Sequence, residues 1–417
     1  MANSAYSALR ISDFRFFIVA RLLVNTALQI QGVAVGWQIY ALTKDPLSLG
    51  LVGLSEAFPA LGISLYAGHI ADIIDRRLIA LSAVFLLIIS SIFLAVASAG
   101  LMNAATLTIV IYLLMALGGL ARGFYGPALF GMMSDIVPRE LYGNAIAWNA
   151  TIWQASAVTG PCLGGLLYIY FAAAKTYLFS TFVLIGAFLF FVLIKSRTSF
   201  APREDVSVLE NIKEGVRFVF SNQIVLGAMA LDLFAVLFGG AVALLPIFTA
   251  EVFHCGPQVL GILRAAPSLG ALITAAILTH RPLAKNAGIT LLVAVTGFGL
   301  CMIAFGLSSN LYFSLALLTF SGALDGVSIW LRTTIFQLVT PKHMKGRVAA
   351  VNSMFIGSSN EIGEFESGVT ARIMGLIPSV VFGGSMTLLV VLVTAFKAPK
   401  LRKLHLTSLY RELEEQK

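Results

Sequence analysis

Charged residues are scarce in this sequence. Of its 417 residues only 12% are Asp, Glu, Lys or Arg, whereas 58% are hydrophobic and the mean hydropathy is +0.91. A soluble domain carries about twice that share of charge, so a water-soluble globular protein is excluded. Only three cysteines are present, Cys162, Cys255 and Cys301. Their wide separation excludes a disulfide framework and a cysteine-based metal site.

Signatures of common catalytic sites are also missing. The sequence has no Walker loop, no Gly-x-Ser-x-Gly and no His-Glu-x-x-His. We therefore expect no enzymatic activity, no cofactor and no bound metal. The formal charge of +8 is interpreted as a signal of membrane orientation, and no nucleic-acid partner is expected.

Long apolar runs make up most of the chain. A run of about 20 apolar residues can cross a bilayer as a helix, and the first run is long enough to remain as a span rather than to be cleaved as a signal. We predict an all-α membrane protein with twelve spans. They are Phe14–Leu42, Leu47–Ile70, Leu78–Ala99, Thr106–Ile136, Asn144–Phe171, Tyr177–Ile194, Ile224–Val252, Gln258–Thr279, Gly288–Leu307, Leu311–Val339, Val348–Leu376 and Val380–Phe396.

Basic residues collect on one side of the predicted spans. Of the 28 Lys and Arg residues, 21 fall on the side of the N-terminus and only Lys44 and Lys175 on the other. Because cytoplasmic loops carry the excess of basic residues, both termini are predicted to be cytoplasmic.

The two halves of the chain repeat each other. Pro138–Asn149 aligns with Pro341–Asn352 at an offset of 203 residues, and the offset also pairs Gly160 with Gly363. This predicts two six-helix bundles, residues 1–194 and 223–417, with the substrate site between them. Residues 195–222 form the cytoplasmic linker, and its amphipathic run Val208–Phe220 is expected at the membrane surface.

A short loop after the second span carries the first family motif. Gly68, Ala71, Asp72, Arg76 and Arg77 match the corresponding loop of major facilitator superfamily transporters, although Ile73 and Asp75 depart from its pattern. The resemblance implies the major facilitator fold. It also implies that Asp72 stabilises an outward-facing state, with the two arginines near the membrane surface.

The fifth span contains Gly160, Pro161, Gly164 and Gly165, a group that resembles the Gly-Pro-x-x-Gly-Gly motif of superfamily antiporters. Glycines at this spacing let two helices approach closely, and the proline permits a bend. The family associates this motif with export. Ordinary packing of a crowded helix is the alternative.

Charged residues inside spans recur at equivalent positions of the repeat. Arg122, which resembles an arginine linked to proton transfer in the superfamily's fourth helix, is equivalent to Asp325. A second offset, of 208 residues, pairs Glu56 with Arg264. We expect such charges to face a cavity or a partner, because lipid does not tolerate them. Ion pairs between the halves, a bipolar cavity or a static latch would each satisfy them.

The eleventh span is unusually acidic. Glu361 and Glu364 share one helical face with Gly357, Gly368 and Arg372. Two carboxylates one turn apart repel each other when both are ionised, so one is expected to hold a proton near neutral pH. This predicts a proton-coupling site, with Asp232 and Glu56 as further candidates. The alternative is that Arg372 neutralises one carboxylate permanently.

Polar and aromatic residues within spans are the candidates for the substrate cavity. They are Arg21, Asn25, Gln29, Trp37, Trp148, Asn149, Trp153, Arg332, Asn352 and Asn360.

Several stretches resemble the bacterial branch of the superfamily that contains the enterobactin exporter and drug exporters; they include Trp37–Thr43, Gly123–Ala128 and Asn360–Gly368. The resemblance implies a monomeric, proton-coupled antiporter of the bacterial inner membrane, exporting a siderophore or amphipathic drug by alternating access. An importer of similar molecules and a lysophospholipid flippase are the alternatives. The expected partners are a small molecule, protons and the bilayer.

Overall fold

The computed structural model describes residues 6–196, 208–239, 241–280, 286–341 and 344–406. Inside helices it describes only the backbone of residues 64, 65, 68, 69, 72, 208–212, 346, 350, 353, 354, 356 and 358. Over these ranges the chain is helical and contains no β-strand. The all-α class predicted from the apolar runs is confirmed.

The helices follow one another with short connections. They are α1 (Ser12–Thr43), α2 (Pro46–Ile73), α3 (Arg76–Ala97), α4 (Ala104–Ile136), α5 (Tyr142–Leu193), α6 (Val208–Ser221), α7 (Gln223–Phe238), the short α8 (Leu245–Ile247), α9 (Pro257–His280), α10 (Ala287–Leu307), α11 (Leu311–Val339), α12 (Lys345–Met374), α13 (Leu376–Lys397) and the short α14 (Pro399–Arg402). A 3₁₀ turn, Ala241–Leu244, precedes α8, and a π-helical turn, Phe248–Val252, follows it.

Within the described residues, ten helical stretches are long and apolar enough to cross a membrane. The predicted count of twelve differs from this at two places. The fifth and sixth predicted spans are the two arms of α5, two helices that meet without a loop at Ala172, where φ is 55°. The eleventh span corresponds to α12, whose acidic and basic residues make it too polar to qualify.

The two arms of α5 run in opposite directions. The first arm is parallel to α1, because the N–H of Ala8 donates to Asn144 at 3.0 Å and Ser156 donates to the carbonyl of Leu22 at 3.4 Å. The second arm is antiparallel to α3, because Arg77 donates to the carbonyl of Phe191 at 3.2 Å and Ser91 donates to the carbonyl of Tyr177 at 3.0 Å. The chain therefore reverses direction at Ala172 without a separate loop.

Contacts divide the chain into two compact units. The N-terminal unit consists of Met1–Pro202 and Pro246–Ala265, and the C-terminal unit consists of Arg203–Leu245 and Ala266–Lys417. The stretch from Pro246 through the first turns of α9 thus packs with α1 and α5. The domain boundaries predicted at residues 195 and 222 stay a proposal.

Buried glutamines tie together the helices of the N-terminal unit. Gln31 of α1 donates to Ser91 of α3 at 2.7 Å. Gln38, two turns further on along the same face, donates to Ser98 at 2.9 Å and accepts from the Tyr177 hydroxyl at 2.7 Å. Such bonds hold helices together where apolar surroundings offer no other partner.

The amphipathic helix α6 packs against protein. Val219 is buried in a cluster with Val348 and Val351 of α12, and Glu214 forms an ion pair with Arg347. For these residues the apolar face packs against α12 within the C-terminal unit. The position at the membrane surface stays a prediction, because an amphipathic pattern gives an apolar face but not what covers it.

Candidate functional site

Two arginines at the start of α3 anchor this helix to its neighbours. Arg76 forms an ion pair with Asp135 of α4, with 2.9 Å between Nη1 and Oδ1. Arg77 donates from Nε to the carbonyl of Phe191 at 3.2 Å. Asp75, which departs from the family pattern, accepts from the N–H of Arg77 at 3.0 Å and so caps α3.

The other predicted gating residues of this loop are Gly68 and Asp72. Their side-chain surroundings lie outside the described residues. The role of Asp72 in stabilising one state therefore stays a prediction.

The glycines of the fifth span bring α5 against α1. A Cβ added at Gly160 would lie 2.5 Å from the Cβ of Gln29, and one at Gly164 would lie 3.0 Å from the Cα of Ile30. Gly165 packs against the backbone at the start of α9, and Gly261 of α9 packs against the carbonyl of Pro161. The motif thus seats α5 between α1 and the first turns of α9.

Glu56 of α2 and Arg122 of α4 form an ion pair inside the N-terminal unit. The two helices come together where Gly119 packs against the backbone of Glu56. The repeat had suggested pairs between the halves for these charges. For Glu56 and Arg122 the partner is instead within the same unit, because helices adjacent in the bundle satisfy the charges locally.

The C-terminal unit encloses an acidic cavity of about 230 Å³. Three carboxylates line it, Asp232 from α7, Asp325 from α11 and Glu364 from α12. The other polar side chains of the lining are Ser321, Ser328 and Asn360, and the apolar wall includes Pro267, Phe298, Met302 and Leu318. The cavity can accommodate a small polar or amphipathic group.

The carboxylates of this cavity have different partners. Asp232 forms a buried ion pair with Arg332 of α11. Glu364 and Asn360 each have an interaction partner. Asp325 forms neither a hydrogen bond nor an ion pair with any described residue. Of the three carboxylates, Asp325 is therefore the most available to a proton or to a bound group.

The two glutamates of the eleventh span are placed differently. Glu364 lines the acidic cavity, but Glu361 is not part of its described lining. Glu361 is half-buried, Arg372 is exposed, and both have interaction partners. Asn352 is half-buried. In the cavity Glu364 is accompanied by Asp232 of α7 and Asp325 of α11, and the proton-coupling role predicted for Glu361 and Glu364 stays a prediction.

Polar residues of α1 meet Tyr125 of α4 in the N-terminal unit. The guanidinium of Arg21 lies over the ring of Phe17, 5.7 Å from its centroid, and interacts electrostatically with Tyr125. Buried atoms without a hydrogen-bond partner in the described part include Arg21 Nε, Asn25 Nδ2 and the Tyr125 hydroxyl. This donor cluster, Arg21, Asn25 and Tyr125, lacks an acceptor.

The remaining cavity candidates scatter through the N-terminal unit. Trp37 packs edge-on against Tyr40 at 6.4 Å, Trp148 packs against Tyr6 at 6.0 Å, and Trp153 is exposed. Asn149 has a buried Oδ1 without a partner among the described residues. These tryptophans do not converge on the donor cluster through any described ring contact.

Sequence reasoning missed several of these residues. Tyr125 was noted only as a departure from the family pattern, and Phe298 carried no signal. Asp135 could have been found, because a carboxylate at the end of α4 lies at the level where the basic loop residues begin. Within the described residues, His, Cys, Asp and Glu form no group of three that could hold a metal ion.

Comparison with known proteins gives a consistent set of relatives. Residues 3–416 match the family described as transmembrane secretion effector. The chain is 24% identical over 370 residues to the MFS-type transporter YfiS of Bacillus subtilis, with 85% of each chain covered. It is 29% identical over 344 residues to the enterobactin exporter EntS of Escherichia coli, covering 80% of this chain and 79% of that protein.

Solved structures share the architecture at low identity. The POT family transporter PepTSo superposes with a TM-score of 0.75 at 14% identity, covering 94% of this chain and 98% of that chain. A D-xylose-proton symporter gives 0.72 at 12% identity, covering 94% and 99%. At these identities the likeness shows the fold alone, and the predicted major facilitator fold is confirmed.

Proposed function

Because the chain belongs to the transmembrane secretion effector family of major facilitator transporters, we propose that it exports an amphipathic small molecule in exchange for protons. Transport proceeds by alternating access in the cytoplasmic membrane of a bacterium, with both termini in the cytoplasm. The cargo is of the siderophore or drug class, since relatives at 29% identity are named as enterobactin exporters.

One observation carries the proton coupling. Asp325 lines the acidic cavity without an ion-pair partner among the described residues, whereas Asp232 beside it is neutralised by Arg332. A carboxylate inside the membrane is costly unless it is paired or protonated. Asp325 therefore takes up a proton when nothing else occupies the cavity.

Cargo and proton then compete for the same carboxylates. A polar or cationic group of the cargo that enters the cavity interacts with Asp325 and Glu364 and favours their ionised forms. The proton is released on the side where cargo binds, and it returns on the other side as cargo leaves. This exchange couples export to the proton gradient because neither state carries an unpaired buried charge.

Everted membrane vesicles provide the test. In these vesicles an exporter pumps cargo inward, so an energised pH gradient should drive uptake of enterobactin or of a fluorescent amphipathic dye, and added cargo should partly dissipate the gradient. An importer would instead accumulate cargo only in right-side-out vesicles.

Asp325→Asn tests the assigned residue. The variant should lose gradient-driven uptake and yet retain exchange of labelled for unlabelled cargo, because exchange needs no net proton movement. The matched control is Glu140→Gln, which changes an exposed carboxylate in the short 3₁₀ turn Arg139–Leu141 between α4 and α5. Gradient-driven uptake by Asp325→Asn at the rate of the control would contradict the proposal.

A further inference from the structure

We infer that the donor cluster, Arg21, Asn25 and Tyr125, binds an oxygen anion, such as the carboxylate of a small acid, within the N-terminal unit. The inference deepens the proposed function by naming the charge that cargo presents to this unit. Nothing in the acidic cavity of the C-terminal unit provides such a site, because carboxylates repel an anion.

Helix geometry aligns the cluster. Arg21 and Asn25 are four residues apart in α1, so their side chains lie on one face, and Phe17 is one turn earlier on that face. The Phe17 ring supports the guanidinium at 5.7 Å, within the range of a cation–π contact. Arg21 is thereby held on its apolar side, while its Nε remains available for an acceptor.

Tyr125 reaches the same place from α4. Its ring packs edge-on against Phe191, with 6.3 Å between centroids and an interplanar angle of 89°. The ring belongs to the same buried cluster as Phe17, and its hydroxyl lies within electrostatic range of the Arg21 guanidinium. Packing against Phe191 thus holds the ring where its hydroxyl shares the surroundings of the guanidinium.

The donors of this cluster are buried without acceptors. Asn25 and Tyr125 are each 7% exposed. Neither the Asn25 amide nitrogen, the Tyr125 hydroxyl nor Arg21 Nε forms a hydrogen bond with a described residue. Roughly 90% or more of buried polar groups in proteins have a hydrogen-bond partner. Three buried donors without one, of which Arg21 Nε carries a positive charge, therefore indicate that the site takes an acceptor from a ligand.

The chemistry of the cluster selects its ligand. A guanidinium matches the geometry of a carboxylate and keeps its charge better than any other side chain. The described part of the chain supplies no carboxylate as an ion-pair partner of Arg21. An anionic oxygen group accepts from all three donors at once, whereas a cation or an apolar group satisfies none of them.

Purified full-length protein in detergent tests the site with benzoate and its uncharged isostere benzamide, added at equal concentration and ionic strength. Benzoate should raise the Tm, and benzamide should not. Affinity for benzoate should fall roughly 10- to 100-fold in Arg21→Gln, the range expected for bonds to a charged group. Tyr125→Phe should weaken binding by less, and Arg15→Gln, which changes an exposed arginine of the same helix, should have no effect.

A second variant makes the test independent of the chosen ligand. Asn25→Asp places a carboxylate beside Arg21 without a change of shape, so it should raise the Tm and abolish the benzoate effect. Gln31→Glu is the control, because it adds a buried carboxylate to α1 in place of the amide that donates to Ser91, and it should lower the Tm.

Two results overturn the site: a wild-type protein whose Tm benzoate and benzamide shift equally or not at all, and an Asn25→Asp protein that loses as much Tm as Gln31→Glu. Binding is measured without transport, so failure here leaves the export proposal standing. Failure of uptake in everted vesicles likewise leaves the anion site standing.

Discussion

The two units carry opposite chemistry, and among the helices that carry it α4 and α11 are equivalent in the repeat. In the N-terminal unit, Arg21, Asn25 and Tyr125 present donors without acceptors. In the C-terminal unit, Asp325 and Glu364 present acceptors around a cavity. The repeat-equivalent positions Arg122 and Asp325 carry opposite charges. The two proposals assign the anion to the N-terminal unit and the proton to the C-terminal unit.

The arginine–carboxylate pairs of the two units differ in burial. In the C-terminal unit the side chains of Arg332 and Asp232 are 7% and 9% exposed, whereas in the N-terminal unit those of Arg122 and Glu56 are 38% and 16% exposed. Screening by solvent decides what such a pair contributes. The two pairs are therefore expected to contribute differently to the free energy of unfolding.

The largest effect is expected from Arg332→Ala. It leaves the Asp232 carboxylate buried without its cation, which destabilises a protein by about 3–5 kcal/mol. Thermal unfolding and the yield of monodisperse protein in detergent measure the loss. The double variant Asp232→Asn with Arg332→Gln removes both charges and should recover part of it, and a double variant as unstable as the single one would contradict the importance of the unpaired charge.

An intermediate effect is expected from Gly160→Ala. The added Cβ meets the Cβ of Gln29 at 2.5 Å, and overpacking of this kind costs about 1–3 kcal/mol. The control is Gly126→Ala, because nothing lies within 4 Å of its added Cβ and alanine favours a helix.

Gly363→Ala sharpens the comparison, since Gly363 is the repeat equivalent of Gly160 and its Cβ would lie 2.8 Å from the carbonyl oxygen of Leu237. Similar losses of Tm in both units would show that close helix contact is the conserved part of the repeat. A loss confined to Gly160→Ala would show that it is not.

The smallest effect is expected from Glu56→Gln. Arg122 is more than a third exposed, so the pair contributes about 1 kcal/mol or less, and Tm should change little. The measurement is the same unfolding experiment, run beside Arg332→Ala. Equal losses in the two variants would mean that burial does not distinguish the two pairs.

Most of the fold could be predicted from the sequence, because apolar runs of membrane length leave the helix as the main way to satisfy the backbone. The count of ten qualifying stretches differs from the twelve predicted spans for two physical reasons. The predicted fifth and sixth spans meet at Ala172 without a loop and form one continuous stretch, and α12 is polar because it contributes Glu364 and Asn360 to a cavity. The acidic residues were recognised as functional candidates, but Glu361 and Glu364 were expected to act together.

The sequence by itself determined the class, the family and the chemical types at the site. Composition excluded a soluble protein, the loop and glycine motifs indicated the major facilitator superfamily, and charges within spans identified Asp232, Asp325 and Arg21 as candidates. Only the tertiary structure decided which of them meet. Periodicity along one helix gives the face of a residue, but a partner lies on another helix, and packing set by close glycine contacts determines which faces come together.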